Sequence, residues 1–158
     1  MKFSKFSIIG GIFILFAISA CNKDKFETKP HIEIKSIGPD QWAFNNIFEA
    51  VLSFTDKEGD LTEFGEVLIQ KQILNQNQIG LDQEFRELRY PFPEYPAGTQ
   101  KGEILIRFGR NQDQPYPVWE VNPITAQNDT VVFHFAVRDE AGNWSDTVTS
   151  RQIIIIKN

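Results

Sequence analysis

From His31 to the C-terminus the chain alternates apolar and polar residues in six runs. In "HIEIKSI" (31–37), Ile32 and Ile34 face one way and Glu33 and Lys35 the other. "FEAVLSFT" (48–55) aligns Phe48, Ala50, Leu52 and Phe54, and "EVLIQKQI" (66–73) is a third run. "GEILIRF" (102–108) aligns Ile104, Ile106 and Phe108. "TVVFHFAVR" (130–138) aligns Val131, Phe133, Phe135 and Val137 and turns His134 outward. "TVTSRQIIIIK" (147–157) closes the chain as one last strand. A period of two, rich in β-branched and aromatic residues, predicts half-buried strands. Clusters of Gly, Pro, Asn and Asp separate the runs. No stretch carries a long 3.6-residue period, and residues 82–89 fit either a short helix or an edge strand. The pattern predicts an all-β chain folded as a single antiparallel sandwich. A seventh strand near Val118–Val121 would complete it.

The first 20 residues read differently. Lys2 and Lys5 precede an uncharged apolar run of 11 residues, Ile8–Ile18. A membrane-spanning helix needs about 20 such residues. The run therefore reads as the core of a secretory signal. "ISAC" (18–21) resembles the lipobox of bacterial lipoprotein signal peptides: an aliphatic residue, two small residues, then cysteine. That resemblance implies cleavage before Cys21 and lipidation of its sulfur, the thiolate acting as nucleophile. It also implies a membrane partner through the lipid, since two or more acyl chains anchor a protein stably. Residues 1–20 are then the signal peptide, 21–30 the lipidated cysteine and a polar tether, and 31–158 the sandwich. Cys21 is the only cysteine, so an exported domain would stand on its core without a disulfide. Asn22, rather than Asp, after the cysteine resembles outer-membrane sorting. "NKDK" (22–25) partly resembles a surface-export signal of Bacteroidota, and the face of the outer membrane stays open.

Two further stretches carry a resemblance. "FHFAVRDEAGNWSDTVTS" (133–150) resembles the last two strands of bacterial Ig-like or fibronectin-III-like domains. "LSFTDKEGDL" (52–61) resembles a second-strand motif of Bacteroidota lipoproteins with no assigned activity. Together they imply one Ig-like β-sandwich, lacking the cysteine pair and intervening tryptophan of antibody domains.

Charge narrows the partners. Removal of residues 1–20 takes two lysines and no acid, so the formal net charge falls from −5 to −7. Nucleic-acid binding needs clustered Lys and Arg, and an acidic exported domain argues against it. Acids gather in two turns instead. Asp56, Glu58 and Asp60 lie in "DKEGDL", and Asp139, Glu140, Asn143 and Asp146 in "DEAGNWSD". In an Ig-like sandwich the third and sixth strands pair, so the turn before the third and the turn after the sixth share a pole. With seven strands the N-terminus joins them. Ca²⁺ takes six to eight oxygen ligands, which makes Asp56, Glu58, Asp60, Asp139 and Asn143 candidate ligands. Turn chemistry alone also explains both stretches, and no other cofactor is expected.

Two proline-aromatic segments, 90–98 and 114–123, offer aromatic faces to a partner or a sugar, or else shield the open flank. Tyr116 and Trp119 are the interaction candidates among them. "DTV" at 129–131 and 146–148 resembles the O-glycosylation motif of Bacteroidota, which points to Thr130 and Thr147. No phosphate loop, nucleophile elbow or zinc spacing occurs. The expected role is non-catalytic binding or scaffolding at the outer membrane, with an unknown envelope protein or glycan as partner. The alternative is an enzyme, or its accessory, acting on glycans.

Overall fold

The structure is a computed structural model that describes residues 29–61, 65–75, 87–110, 118–119 and 126–157. Residues 1–28, Cys21 among them, and Tyr116 lie outside the described residues. The elements are β1 (His31–Gly38), β2 (Gln41–Trp42), β3 (Phe48–Thr55), β4 (Glu66–Ile73), β5 (Glu87–Pro91), β6 (Lys101–Phe108), β7 (Asp129–Arg138), β8 (Val148–Thr149) and β9 (Ile153–Ile155). No helix occurs among the described residues.

The strands form two sheets. One runs β1-β3-β6; the other runs β2-β9-β7-β4-β5, with β8 also on β7. Taking β1, β3, β4, β5, β6, β7 and the β8/β9 pair as A, B, C, C′, E, F and G, this is the Ig-like order. β4 pairs antiparallel with β7 from Glu66↔Arg138 to Ile73↔Val131, so the third and sixth expected strands are neighbours.

The alternation read from the sequence becomes the core. Phe48, Ala50, Leu52 and Phe54 are buried from β3, and Ile104, Ile106 and Phe108 from β6. From the facing sheet come Val67, Ile69, Phe133 and Phe135. Phe48 stacks on Phe108 with centroids 4.6 Å apart, and Phe133 meets Phe48 at 4.6 Å and Trp119 at 5.4 Å.

Four details depart from the expected strands. In β1 the register slips between Ile34 and Ser36. The bulge resets the alternation, so Ile37, opposite Ala50, packs on the core instead of facing out with Glu33. The last run is broken into β8 and β9. At the break, Phe133 N–H donates to Ser150 Oγ (2.9 Å) and Ser150 N–H donates to Phe133 O (2.8 Å). Gln41–Trp42, not expected as a strand, pairs in parallel with β9, and buried Trp42 donates its indole N–H to Asn46 O. The additional strand is β5, at the edge of β4. Val118 contributes only a single bridge to Gly109, and residues 120–121 lie outside the described residues.

Candidate functional site

Strand direction gathers chemistry at one pole. β3 ends there, β4 begins there and β7 ends there. His31 pairs with Thr55, so the first strand begins there as well. Lys29, just before it, holds Asp146 through both carboxylate oxygens at 2.8 and 2.9 Å. That ammonium keeps the Asp146 carboxyl below the usual range.

The turn after β3 is built on Asp56. Its Oδ2 accepts the Asp60 N–H at 2.9 Å, and its own N–H donates to Gln100 O. Gly59 closes the turn at φ +68°, where a Cβ would lie 2.7 Å from the Gly98 backbone. Both the positive φ and the close approach require glycine. The turn after β7 is built the same way on Asp139. Its Oδ1 accepts the Asn143 N–H at 2.6 Å and its Oδ2 the Asn143 side-chain amide at 2.9 Å. Gly142 follows at φ +91°. The two turns touch: Glu140 N–H donates to Asp60 O at 3.2 Å.

The expected meeting of the two acidic turns is thus present, and turn chemistry occupies much of it. Asp139 uses both oxygens on Asn143. Among the described residues, no three carboxylate or imidazole side chains form a metal-holding group. Two oxygens remain outside the turn bonds. Asp56 Oδ1 and Asp60 Oδ1 are buried without a hydrogen-bond partner among the described residues. Asp60 is accordingly pushed from its ordinary 3.8 up to about 6, first by burial, then by its hydrogen bond to Asp56, then by the charges of Asp139, Asp56 and Glu58.

A pH dependence follows from Asp60. Its folded-state value lies above the unfolded one, so the folded state holds the proton more tightly. The contribution is full below about pH 4 and is lost as pH rises through about 6. The rise corresponds to at most about 3 kcal/mol, reduced where solvent reaches the group. Asp60→Asn is expected to raise the melting temperature at pH 8 and leave it nearly unchanged at pH 3.5, below the unfolded value. Equal effects at both values would show that Asp60 is unperturbed.

The other candidates fall elsewhere. Trp119 is 1 % exposed and packs edge-on to Phe108, with Lys71 Nζ 4.9 Å from its ring centroid. It is a core residue, which corrects its reading as an exposed partner face: the indole fills the space beside Phe108 and Phe133. Thr130 is half-buried in β7 opposite Ile154, while Thr147 is exposed before β8. Asp129, which heads the first "DTV", is buried in an ion pair with Lys157 at 2.8 Å. His134 faces outward between Gln72 and Thr149. Trp144 is half-buried at the pole, with the guanidinium groups of Arg89 and Arg138 6.0 and 5.5 Å from its ring.

The proline-aromatic segment 90–98 covers the open flank. Phe92 is buried against Phe54, and Tyr95 donates to Glu103 O. A cavity of about 390 Å³ remains between β5 and β6, lined by Val67, Tyr90, Pro91, Ile104, Leu105 and others. The Tyr90 hydroxyl is buried without a partner among the described residues, and burial raises its pKa. Sequence patterning does not find this cavity, because its walls come from two sheets. The buried Asp129–Lys157 pair was equally out of reach, since both residue types usually mark surface.

Fold and pole together define an Ig-like β-sandwich with an acidic end at which the first strand begins. No protein-family model matches the chain, and no curated protein does. Among solved structures it is similar to Spo0M, a sporulation control protein from Bacillus subtilis: 8 % identity over 82 % of this chain and 50 % of that one, TM-score 0.41. The chain thus spans about half of Spo0M's length. It is also similar to the PmoD soluble domain from Methylocystis sp. (10 % identity, 80 % and 90 % covered, TM-score 0.32). A third is AggA, the major subunit of aggregative adherence fimbriae type I from Escherichia coli (11 % identity, 81 % and 95 % covered, TM-score 0.30). At these levels the likeness concerns chain path alone.

Proposed function

We propose that this protein is a lipid-anchored, non-catalytic binding or scaffolding sandwich of the bacterial outer membrane. The observation that carries the reading is the position of the chain's entry. The first strand starts at the acidic pole, and Lys29 is tied to Asp146 there. A tether from Cys21 would reach the domain at that end and leave the rest of the sandwich facing away from the membrane. The best-placed carboxylates are held by their own turns, Asp139 by the backbone and side-chain amides of Asn143, which supports a binding role over acid–base chemistry. The glycan-active alternative has one observation in its favour, the raised Asp60 carboxyl beside Asp56.

The anchor is tested directly. Cys21→Ser is expected to move the protein out of the membrane fraction or to leave the precursor uncut. A variant that is processed and fractionates like the natural protein overturns the lipid anchor. Crosslinking in intact cells, followed by capture of this chain, then identifies the envelope protein or glycan it holds. Release of a reducing sugar from envelope glycans by the purified chain would instead establish the enzyme.

A further inference from the structure

The flank between the two sheets is closed unevenly. β6 is the edge of its sheet, with β3 on one side. Successive residues of a strand direct their N–H and C=O groups to opposite sides. Gln100 O accepts the Asp56 N–H, so even-numbered residues here turn toward β3 and odd-numbered ones toward the flank. On the flank, Glu103 O accepts the Tyr95 hydroxyl, and Gly109 O accepts the Trp119 N–H at 3.0 Å. Between these two closures lies Leu105. Its N–H and C=O face the flank without a hydrogen-bond partner among the described residues, and the residue is 47 % exposed.

The cavity of about 390 Å³ adjoins the same place, with Leu105 in its wall. Ligand sites span about 300–1,000 Å³. Core residues Val67 and Ile104 form part of the wall, and Tyr90, Pro91 and Pro93 border it from the β5 side. β5 is the edge of the other sheet, and its Pro91 has no N–H to offer a further strand. β6 contains no proline.

We propose that the Leu105 edge of β6 and the adjoining cavity dock an extended peptide segment of a partner protein, added antiparallel as a short strand. The inference rests on the binding role proposed above and names the chemistry of the partner. In an antiparallel pair one peptide residue exchanges both main-chain hydrogen bonds with Leu105, which suits so short an opening. That residue turns its side chain outward beside the exposed Leu105. Its two neighbours turn inward, as Ile104 and Ile106 do, and reach the cavity. The site therefore selects apolar side chains two positions apart. Only a short segment fits, because Tyr95 and Trp119 occupy the edge at Glu103 and Gly109. A small apolar molecule would fill the cavity and leave the Leu105 main-chain groups unmatched, which favours the peptide.

The test presents a displayed library of random hexapeptides to the purified full chain. Enriched sequences are expected to share apolar residues two positions apart. The tightest binder is then synthesised with and without an N-methyl group on the residue between those two. The methyl removes the donor to Leu105 O and is expected to weaken binding about tenfold or more. Leu105→Pro takes away an N–H that β6 does not use within its own sheet, and is expected to weaken binding as much while the circular dichroism of the fold is retained. If that variant fails to fold, the methylated peptide decides. No enrichment above background overturns the proposal, and so does binding indifferent to the methyl group. Indifferent binding that toluene displaces assigns the cavity to small apolar molecules instead. Failure of the peptides alongside a partner captured by crosslinking in cells removes this site and keeps the binding role; failure of both removes the role itself.

Discussion

Ending the chain after Asp146 is expected to abolish cooperative folding. The deletion removes β8 and β9, and with them Ile153 and Ile155, both 0 % exposed. Each fully buried aliphatic contributes about 1.5–3 kcal/mol. β7 loses its neighbour on one side, and β2, which pairs with β9, loses its ladder. The Ser150 hydroxyl no longer accepts from Phe133 N–H. Lys157 disappears as well, breaking its ion pair with Asp129, which is 1 % exposed in the intact chain. Breaking a buried ion pair from one side costs about 3–5 kcal/mol. These losses together reach the whole margin of a typical domain, about 5–15 kcal/mol. The expected result is a chain with no thermal transition and no near-ultraviolet circular dichroism. A cooperative transition within about 10 °C of the full chain would show that the last strands are an accessory to the sandwich.

Phe133→Ala is expected to be the most damaging single substitution. The ring is fully buried and sits between the sheets, with centroids at 4.6 Å from Phe48, 5.4 Å from Trp119 and 5.9 Å from Phe108. Three of its neighbours are themselves fixed by other rings, so the site cannot collapse to fill the void. Truncation of a buried phenylalanine costs about 3–5 kcal/mol, transfer and cavity together. In urea the midpoint should fall accordingly while the slope stays constant. His134→Ala, on the outer face of the same strand, should cost less than about 1 kcal/mol. Similar losses at 133 and 134 would mean that the strand's faces are assigned the wrong way round.

That face assignment is legible in the sequence. Alternation along 48–55, 102–108 and 130–138 gives each strand one apolar face; burial follows it residue by residue in the first two, while in 130–138 Val132 and Ala136 are buried on the other face as well. The signal is strong there because a strand's side chains alternate with period two and one face must leave water. The two acid-rich turns were also legible, because Asp and Gly at such spacing bond locally to their own backbone. Even their meeting followed from strand order, once the sandwich was taken as Ig-like.

Other features depended on distant partners. Trp119 offers the same letters whether it faces solvent or core, and only the space beside Phe108 and Phe133 decides. Gln41–Trp42 is too short to show a period, and becomes a strand because β9 runs beside it. The break at Ser150 hides inside a run of apparent β residues, since one hydroxyl replaces a backbone group at Phe133. The orphan oxygens of Asp56 and Asp60 belong to this class too.

By itself, then, the sequence determined which residues form the strands, which face each turns inward and where the turns fall, because those are set by neighbours along the chain. The tertiary structure decided which acids are buried, which are satisfied by their own turn and which two oxygens are left facing no donor. Those properties depend on desolvation by residues far away in sequence, such as the Asp139 turn packed on Asp60, and desolvation exists only once the sheets have closed.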